Sequence, residues 1–189
     1  FTPLRPAAAL LDKVLQRRRG QPLALGLIAL ELARRLGIPM AGVNFPGHFL
    51  LRVSGADHLL DPCGGRRLYP NDCRELLQRQ YGPNLKLQAE HLRSAEPRLI
   101  LQRLSRNLRQ LYVANDNHLA ALIDAERVLE LGDANAADYL ARASLYKHLD
   151  CPNAERFDLE HALLLSEDPV QRLRLTERLG HLPPGAVVH

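Results

Sequence analysis

Three residues of this sequence could do thiol chemistry: Cys63, Cys73 and Cys151. The thiolate form of cysteine is both a nucleophile and a metal ligand. The count is odd and no two cysteines stand in a CxxC spacing, which argues against a disulfide framework and against a zinc site. We therefore expect free thiols in a reducing, cytoplasmic setting, with no metal and no other cofactor.

Charge and composition argue against nucleic acid or a membrane as partner. The net charge is +4, and the basic residues alternate with acids except in the run Arg17-Arg18-Arg19. A nucleic-acid binder would concentrate them in a patch with interleaved aromatics, and Trp is absent here. No apolar run reaches the roughly 18 residues that a membrane span needs.

The first half of the chain mixes helical and extended patterns. A helix is predicted from about Leu23 to Leu36, with Pro22 in its first turn and Gly37 ending it. Apolar residues cover nearly all of its sides through Leu30, so we expect a buried central helix. Extended segments follow at 40–45, 48–53 and 57–61, and residues 54–56 have the composition of a hairpin turn.

The second half reads as helical throughout and repeats itself. We expect helices near 97–114, 119–131, 136–149, 153–165 and 170–179. A shift of 34 positions pairs identical residues, among them Leu111 with Leu145 and Tyr112 with Tyr146. Two helices in a 34-residue period is the pattern of tetratricopeptide repeats. Such repeats present a concave face to a protein or peptide partner.

The order of four short motifs resembles a known superfamily. They are Gly20-Gln21-Pro22, Gly37-Ile38-Pro39, Pro46-Gly47-His48 and Leu60-Asp61-Pro62. In the transglutaminase-like superfamily a Gly-x-Cys opens a helix, Gly-Ile-Pro follows it, a His opens one strand and an Asp-Pro ends the next. A closer resemblance is to a bacterial subfamily, the SirB-one type. The residues that carry it include the stretch 42–50, of which 42–49 is the specific part, and, in the tail, Arg106-Asn107-Leu108 and Tyr112.

The resemblance implies an α+β fold. A small antiparallel sheet would pack on the buried central helix in a transglutaminase-like domain at 1–93, and an all-α tetratricopeptide-like domain would follow at 94–189. Because the chain starts with Phe1 rather than Met, we expect the first domain to be truncated at its N-terminus.

Carried over position by position, the resemblance assigns the catalytic His to His48 and the orienting Asp to Asp61. In the superfamily the helix dipole stabilises a thiolate, the His deprotonates the thiol, and the Asp orients the His. The nucleophile position of this chain is Pro22, which has no nucleophilic side chain. This departure favours a non-catalytic protein in which His48 and Asp61 are a relic pair.

Two functional alternatives stay open beside that interpretation. Cys63 lies two residues after Asp61 and could act as a displaced nucleophile of a cysteine-dependent hydrolase or acyl-transferase. The chain could also be a structural scaffold without a specific ligand. For the favoured role, binding of a protein or peptide, the candidate residues are His48, Asp61, Arg52, Tyr112 and Tyr146. An Arg beside a His-Asp pair could bind a carboxylate.

A contact between His48 and Asp61 sets the register of the predicted hairpin. Side chains alternate along a strand, so a one-residue slip moves a whole set to the other face. In an antiparallel pair, the residue numbers of any two directly opposed residues add up to the same sum. His48 and Asp61 share a face only if this sum is odd, as it is when Val53 opposes His58. We therefore expect a hairpin loop of two or four residues. We also expect the His48 ring and the Asp61 carboxylate to lie within hydrogen-bond distance or one water apart.

Overall fold

The computed structural model describes residues 6–183. Two compact units divide the chain, the first ending at Leu104 and the second beginning at Ser105. Within the described range, none of the helices combines the length and the apolar character that a membrane crossing requires.

The first unit contains a four-stranded sheet and the helices around it. The helices are α1 (Leu11–Arg17), α2 (Pro22–Arg35), α3 (Pro70–Tyr81) and the first part of α4 (Pro97–Val113). The strands are β1 (Met40–Val43), β2 (Leu50–Val53), β3 (Leu59–Leu60) and β4 (Arg67–Leu68). Short 3-10 turns occur at Pro6–Ala8 and Ala89–Leu92.

Helix α2 begins and ends where the sequence predicts. Gln21 is extended and Pro22 occupies the first turn, where its missing N–H leaves no hydrogen bond unmade. Beyond Arg35 the chain turns at Gly37, whose φ is +68°, a conformation that glycine adopts without strain. The helix buries Leu23 and Ala24 among its apolar residues. The central position of the helix is confirmed, but its predicted burial only in part, since Leu32 is 54% exposed.

The sheet is an antiparallel meander in the order β1-β2-β3-β4. Strands β2 and β3 pair Leu51 with Leu60 and Arg52 with Leu59. The residue numbers of each opposed pair therefore add up to an odd number, and the register predicted from the sequence is confirmed. The predicted loop of two or four residues is wrong, because the last opposed pair is Arg52 with Leu59 and the six residues 53–58 lie between them. The short strand β4 was not predicted.

Both faces of this sheet are covered by apolar side chains. On one face, Leu50 and Leu59 pack with Cys73 and Leu77 of α3. On the other face, Phe49 and Leu51 pack against residues of α2 and α4; the members of that cluster include Leu23, Leu27, Leu30 and Ile100. A small antiparallel sheet packed on a central helix is the predicted α+β architecture, which is confirmed.

The second unit is built from helices alone among its described residues. After the end of α4 come α5 (His118–Glu130), α6 (Ala136–His148), α7 (Pro152–Leu165) and α8 (Pro169–Gly180). The buried positions of α5 recur in α7 with the 34-residue offset. They are Ala121, Asp124, Ala125 and Val128 in α5, and Glu155, Asp158, Leu159 and Ala162 in α7.

The turns that precede α5 and α7 repeat as well. The N–H of Asn117 donates to the carbonyl oxygen of Tyr112 at 2.9 Å, and that of Cys151 donates to the carbonyl oxygen of Tyr146 at 2.9 Å. Tyr112 and Tyr146 therefore occupy equivalent places, as predicted from the 34-residue period.

Candidate functional site: the His48–Asp61–Cys63 cluster and a cavity in the helical unit

His48 and Asp61 lie at the same end of the antiparallel β2–β3 pair, since His48 precedes β2 and Asp61 follows β3. His48 follows a turn at Gly47, whose φ is +66°, and its N–H donates to the carbonyl oxygen of Phe45 at 3.1 Å. Asp61 directly follows β3, and its N–H donates to the carbonyl oxygen of Arg66 at 2.9 Å. Local backbone hydrogen bonds thus position both side chains on the same face of the sheet.

The predicted contact between the two side chains is present. Nε2 of His48 lies 3.1 Å from Oδ1 of Asp61, with 18% and 24% of the two side chains exposed. The carboxylate can therefore orient the imidazole, as an aspartate does beside a catalytic histidine.

Cys63 completes a cluster with this pair. Its N–H donates to Oδ1 of Asp61 at 2.9 Å, and the ligand atoms of His48, Asp61 and Cys63 all lie within 4.8 Å of one another. Burial, together with the charge of Asp61 and a hydrogen bond to it, raises the pKa of the Cys63 thiol to about 11. A nucleophilic cysteine needs a lowered pKa, so the geometry brings the thiol close but the electrostatics keep it protonated.

The position that the resemblance gives to the nucleophile is Pro22, at the start of α2. A helix N-terminus stabilises a thiolate placed there, but proline offers no group that could carry the charge. The two remaining cysteines are placed differently. Cys73 is buried in the core between the sheet and α3, and burial raises the pKa of its thiol. Cys151 is exposed at the start of α7.

Arg52 is engaged elsewhere in the first unit. Its guanidinium donates to the carbonyl oxygen of Leu92 at 2.7 Å. It also lines a cavity of 220 Å³, with Asp57 and His58, whose lining includes neither His48 nor Asp61. A carboxylate-binding role for Arg52 beside the pair stays a prediction.

The two tyrosines make contacts within the helical unit. Tyr112 packs against the buried cluster of Ala121, Ala125 and Leu145. The hydroxyl of Tyr146 lies 3.5 Å from Oε1 of Glu126, and its ring lies 5.6 Å from the guanidinium carbon of Arg142. A direct role in binding a partner stays a prediction for both.

A cavity of 360 Å³ in the second unit was missed by the sequence reasoning. It is lined by Arg109, Gln110, Val113, Ala114, His118, Ala141, Ser144, Leu145 and His148. Nη1 of Arg109 and Nδ1 of His118 are buried without a hydrogen-bond partner, although that Nη1 lies 3.7 Å from Oδ1 of Asp138. The periodic pattern identified the helices but carries no signal for these polar residues, which differ between the two repeats.

Comparisons with known proteins agree with this architecture. Residues 2–106 match the family model described as transglutaminase-like superfamily, and residues 108–180 match a tetratricopeptide-repeat model. The UPF0162 protein PA3419 of Pseudomonas aeruginosa is 66% identical over 96% of this chain and 67% of its own length. A UPF0162 protein of Xylella fastidiosa is 37% identical over 85% of this chain and 59% of its own length.

A more distant relative is the protein SirB1 of Salmonella typhimurium, which is 28% identical over 86% of this chain and 62% of its own length. The chain thus spans about three fifths to two thirds of the length of these relatives. No solved structure matches the chain. The chain belongs to the transglutaminase-like superfamily and to the UPF0162 family, and its second unit carries tetratricopeptide repeats.

Proposed function

We propose that the chain is a non-catalytic transglutaminase-like protein that binds a protein or peptide partner, chiefly through its helical repeats. The observation that carries this proposal is the cavity between α4, α5 and α6, which combines apolar walls with two buried nitrogens that lack a hydrogen-bond partner, Nη1 of Arg109 and Nδ1 of His118. Tetratricopeptide repeats use such concave faces to hold extended or helical peptides.

The lining of the cavity indicates the chemistry of its occupant. Val113, Ala114 and Leu145 offer apolar contact, and Nη1 of Arg109 supplies a buried hydrogen-bond donor. A buried donor without a partner is costly, so a ligand that accepts hydrogen bonds from this wall gains affinity. The expected occupant is a peptide segment with an apolar side chain beside an acidic group.

The proposal that the chain is non-catalytic rests on the first unit. Pro22 supplies no nucleophile, and the raised pKa of Cys63 leaves that thiol protonated at neutral pH. A second candidate, a hydrolase or acyl-transferase that uses Cys63, is favoured by the distances within the cluster but opposed by the pKa of the thiol. The surface around His48 and Asp61 is the second proposed contact area for a partner.

Site-specific photo-cross-linking tests the binding proposal. Val113 in the cavity wall is 43% exposed, and Ile123 on α5, outside the cavity lining, is 57% exposed, so either position can accept a photoreactive amino acid. We expect partner peptides to become attached at position 113 but not at position 123. Equal labelling at the two positions would contradict the proposal.

Charge variants at the same two positions sharpen the test. Val113→Asp should weaken partner capture by repelling an acidic segment, whereas Val113→Lys should retain it. Ile123→Asp is the matched control, because it adds the same charge to an exposed apolar position away from the cavity. Loss of capture in both aspartate variants, or in neither, would count against the cavity as the binding site.

A further inference from the structure

Three chemically different donor atoms converge in the first unit. They are an imidazole nitrogen of His48, a carboxylate oxygen of Asp61 and the sulfur of Cys63, all within 4.8 Å of one another. Nitrogen, oxygen and sulfur together form the ligand set that Zn²⁺ uses in proteins. The spacing of cysteines in the sequence argued against a zinc site built on cysteine pairs. A single cysteine that the fold places beside a His-Asp pair leaves no such spacing in the sequence.

We propose that His48, Asp61 and Cys63 form a binding site for a divalent, borderline-soft cation of the Zn²⁺ class. Zinc bonds of about 2.0–2.3 Å at a tetrahedral angle place donor atoms about 3.3–3.8 Å apart. Nε2 of His48 and Oδ1 of Asp61 already lie 3.1 Å apart. The two separations that involve the Cys63 sulfur are at most 4.8 Å and need to shorten by at most roughly 1 Å, which rotation of the exposed Cys63 side chain can provide.

The backbone around the cluster holds the donors in place. Asp61 and Cys63 flank Pro62, and the N–H of Cys63 binds Oδ1 of Asp61 at 2.9 Å. The N–H of Gly65 donates to the carbonyl oxygen of Asp61 at 2.8 Å, which closes the turn that carries both ligands. The cation would replace the contact between His48 and Asp61 with two metal bonds and leave this turn intact.

The donor set also predicts which cations are excluded. Ca²⁺ and Mg²⁺ take oxygen ligands almost exclusively, so a site with one carboxylate, one imidazole and one thiolate disfavours them. Three protein ligands leave a fourth tetrahedral position for water, as in zinc sites that remain open. Binding requires the thiolate and the neutral imidazole. The Cys63 sulfur therefore transfers its proton to solvent as the sulfur–metal bond forms.

Titration of the freshly reduced chain with Co²⁺, a spectroscopic substitute for Zn²⁺, tests the site. We expect one equivalent to produce tetrahedral d–d bands together with a thiolate-to-cobalt charge-transfer band. Zn²⁺ should displace the cobalt and abolish both features, whereas excess Ca²⁺ and Mg²⁺ should leave them unchanged. Absence of a saturable tetrahedral spectrum at one equivalent would overturn the proposal.

Variants assign the ligands. Cys63→Ser should remove the charge-transfer band and weaken Zn²⁺ binding by at least about 100-fold, the upper end of the loss seen for outer-shell partners. His48→Gln and Asp61→Asn should each weaken it substantially, with circular dichroism confirming that the variants are folded. Cys151→Ser removes an exposed thiol from the second unit and should leave the titration unchanged. A charge-transfer band that survives Cys63→Ser would refute the assignment.

Discussion

The backbone N–H of Cys63 donates to Oδ1 of Asp61, at 2.9 Å, and the same oxygen lies 3.1 Å from Nε2 of His48. One carboxylate oxygen thus contacts both the imidazole and the turn that carries the thiol. A negative charge beside a thiol opposes formation of the thiolate, and burial acts in the same direction. The arrangement that orients His48 therefore also suppresses the reactivity of the neighbouring cysteine.

The first prediction concerns alkylation of Cys63. Because burial and Asp61 raise the pKa of this thiol to about 11, the metal-free chain should show no fast iodoacetamide reaction at Cys63 near neutral pH. The rate should keep rising into the alkaline range. Mass spectrometry of each cysteine peptide at several pH values measures this, with the exposed Cys151 as internal reference.

Asp61→Asn provides the matched variant for that measurement. It removes the charge but keeps an oxygen that can accept the Cys63 N–H, so the pKa of the thiol should fall and alkylation at a given pH should accelerate. A Cys63 thiolate already formed at mildly acidic pH in the unmodified chain would disprove the protonated thiol and favour the hydrolase alternative.

Local sequence patterns predicted the central helix, three of the four strands and the helices of the tail, but not β4. Contacts between side chains of different elements could be predicted only where the alternation of side chains along a strand constrained them. Leu50 and Arg52 share a face of β2, and His48, two residues before Leu50, continues the same alternation. The contact of His48 with Asp61 therefore followed from the register. The length of the hairpin loop did not follow, because pairing ends at Arg52 and no sequence signal marks that point. The place of Cys63 beside the pair was open as an alternative only, since it depends on the turn closed by Gly65.

The second prediction concerns a buried ion pair in the helical unit. Nε and Nη2 of Arg142 donate to the two carboxylate oxygens of Asp158 at 2.8 and 2.7 Å, and the two side chains are 15% and 0% exposed. Asp158→Ala leaves the guanidinium buried without its partner, which costs about 3–5 kcal/mol. Urea unfolding should show a correspondingly lower midpoint.

A double variant separates the unpaired charge from the lost packing. Arg142→Met combined with Asp158→Leu should recover most of the stability, because apolar residues of similar volume often replace a buried pair without loss. Glu75→Ala, which breaks a solvent-exposed pair with Arg79, is the control and should barely move the unfolding midpoint. An equally small effect of Asp158→Ala would mean that the pair is not buried in solution.

The third prediction concerns Gly26, on the face of α2 that meets the sheet. A Cβ added at this position would lie 2.4 Å from Cδ1 of Phe49. Gly26→Ala should therefore destabilise the first unit by about 1–3 kcal/mol, the usual cost of overpacking, although alanine favours the helix. Phe49→Leu in the Gly26→Ala background should recover part of that loss.

Gly180 is the matched helical glycine for this test. Nothing lies within 4 Å of a Cβ built there, so Gly180→Ala should leave the stability unchanged or raise it slightly. Thermal or urea unfolding of the two alanine variants measures the difference. Similar midpoints for both would show that Phe49 does not pack against the α2 backbone as described.

The last prediction compares how two buried aspartates of the helical unit make stability depend on pH. Burial raises the pKa of Asp124, and the charge of Arg127 offsets only part of that shift. Burial is also the largest single influence on Asp138 and acts in the same direction. The hydrogen bonds from Arg106 and from the N–H of Asn135, together with the charges of Arg106 and Arg109, outweigh it and lower the pKa of Asp138 overall. The two carboxyls therefore link stability to pH with opposite signs.

For Asp124, whose folded-state pKa lies above the unfolded value, deprotonation is harder in the folded state. Its contribution to stability is greatest below the unfolded pKa and declines as pH rises through the folded pKa. For Asp138, the contribution is present above the unfolded pKa and is lost as pH falls through the lowered folded pKa. Urea unfolding between about pH 4 and pH 7 should therefore show that the stability of Asp124→Asn rises relative to that of the unmodified chain as pH rises. For Asp138→Asn the change falls at lower pH, because the unfolded pKa of an aspartate is about 4 and the folded-state pKa of Asp138 lies below its unfolded value. Between about pH 2 and pH 4, the stability of Asp138→Asn should fall relative to that of the unmodified chain as pH rises. A change of the same sign in the two variants would contradict the opposite shifts.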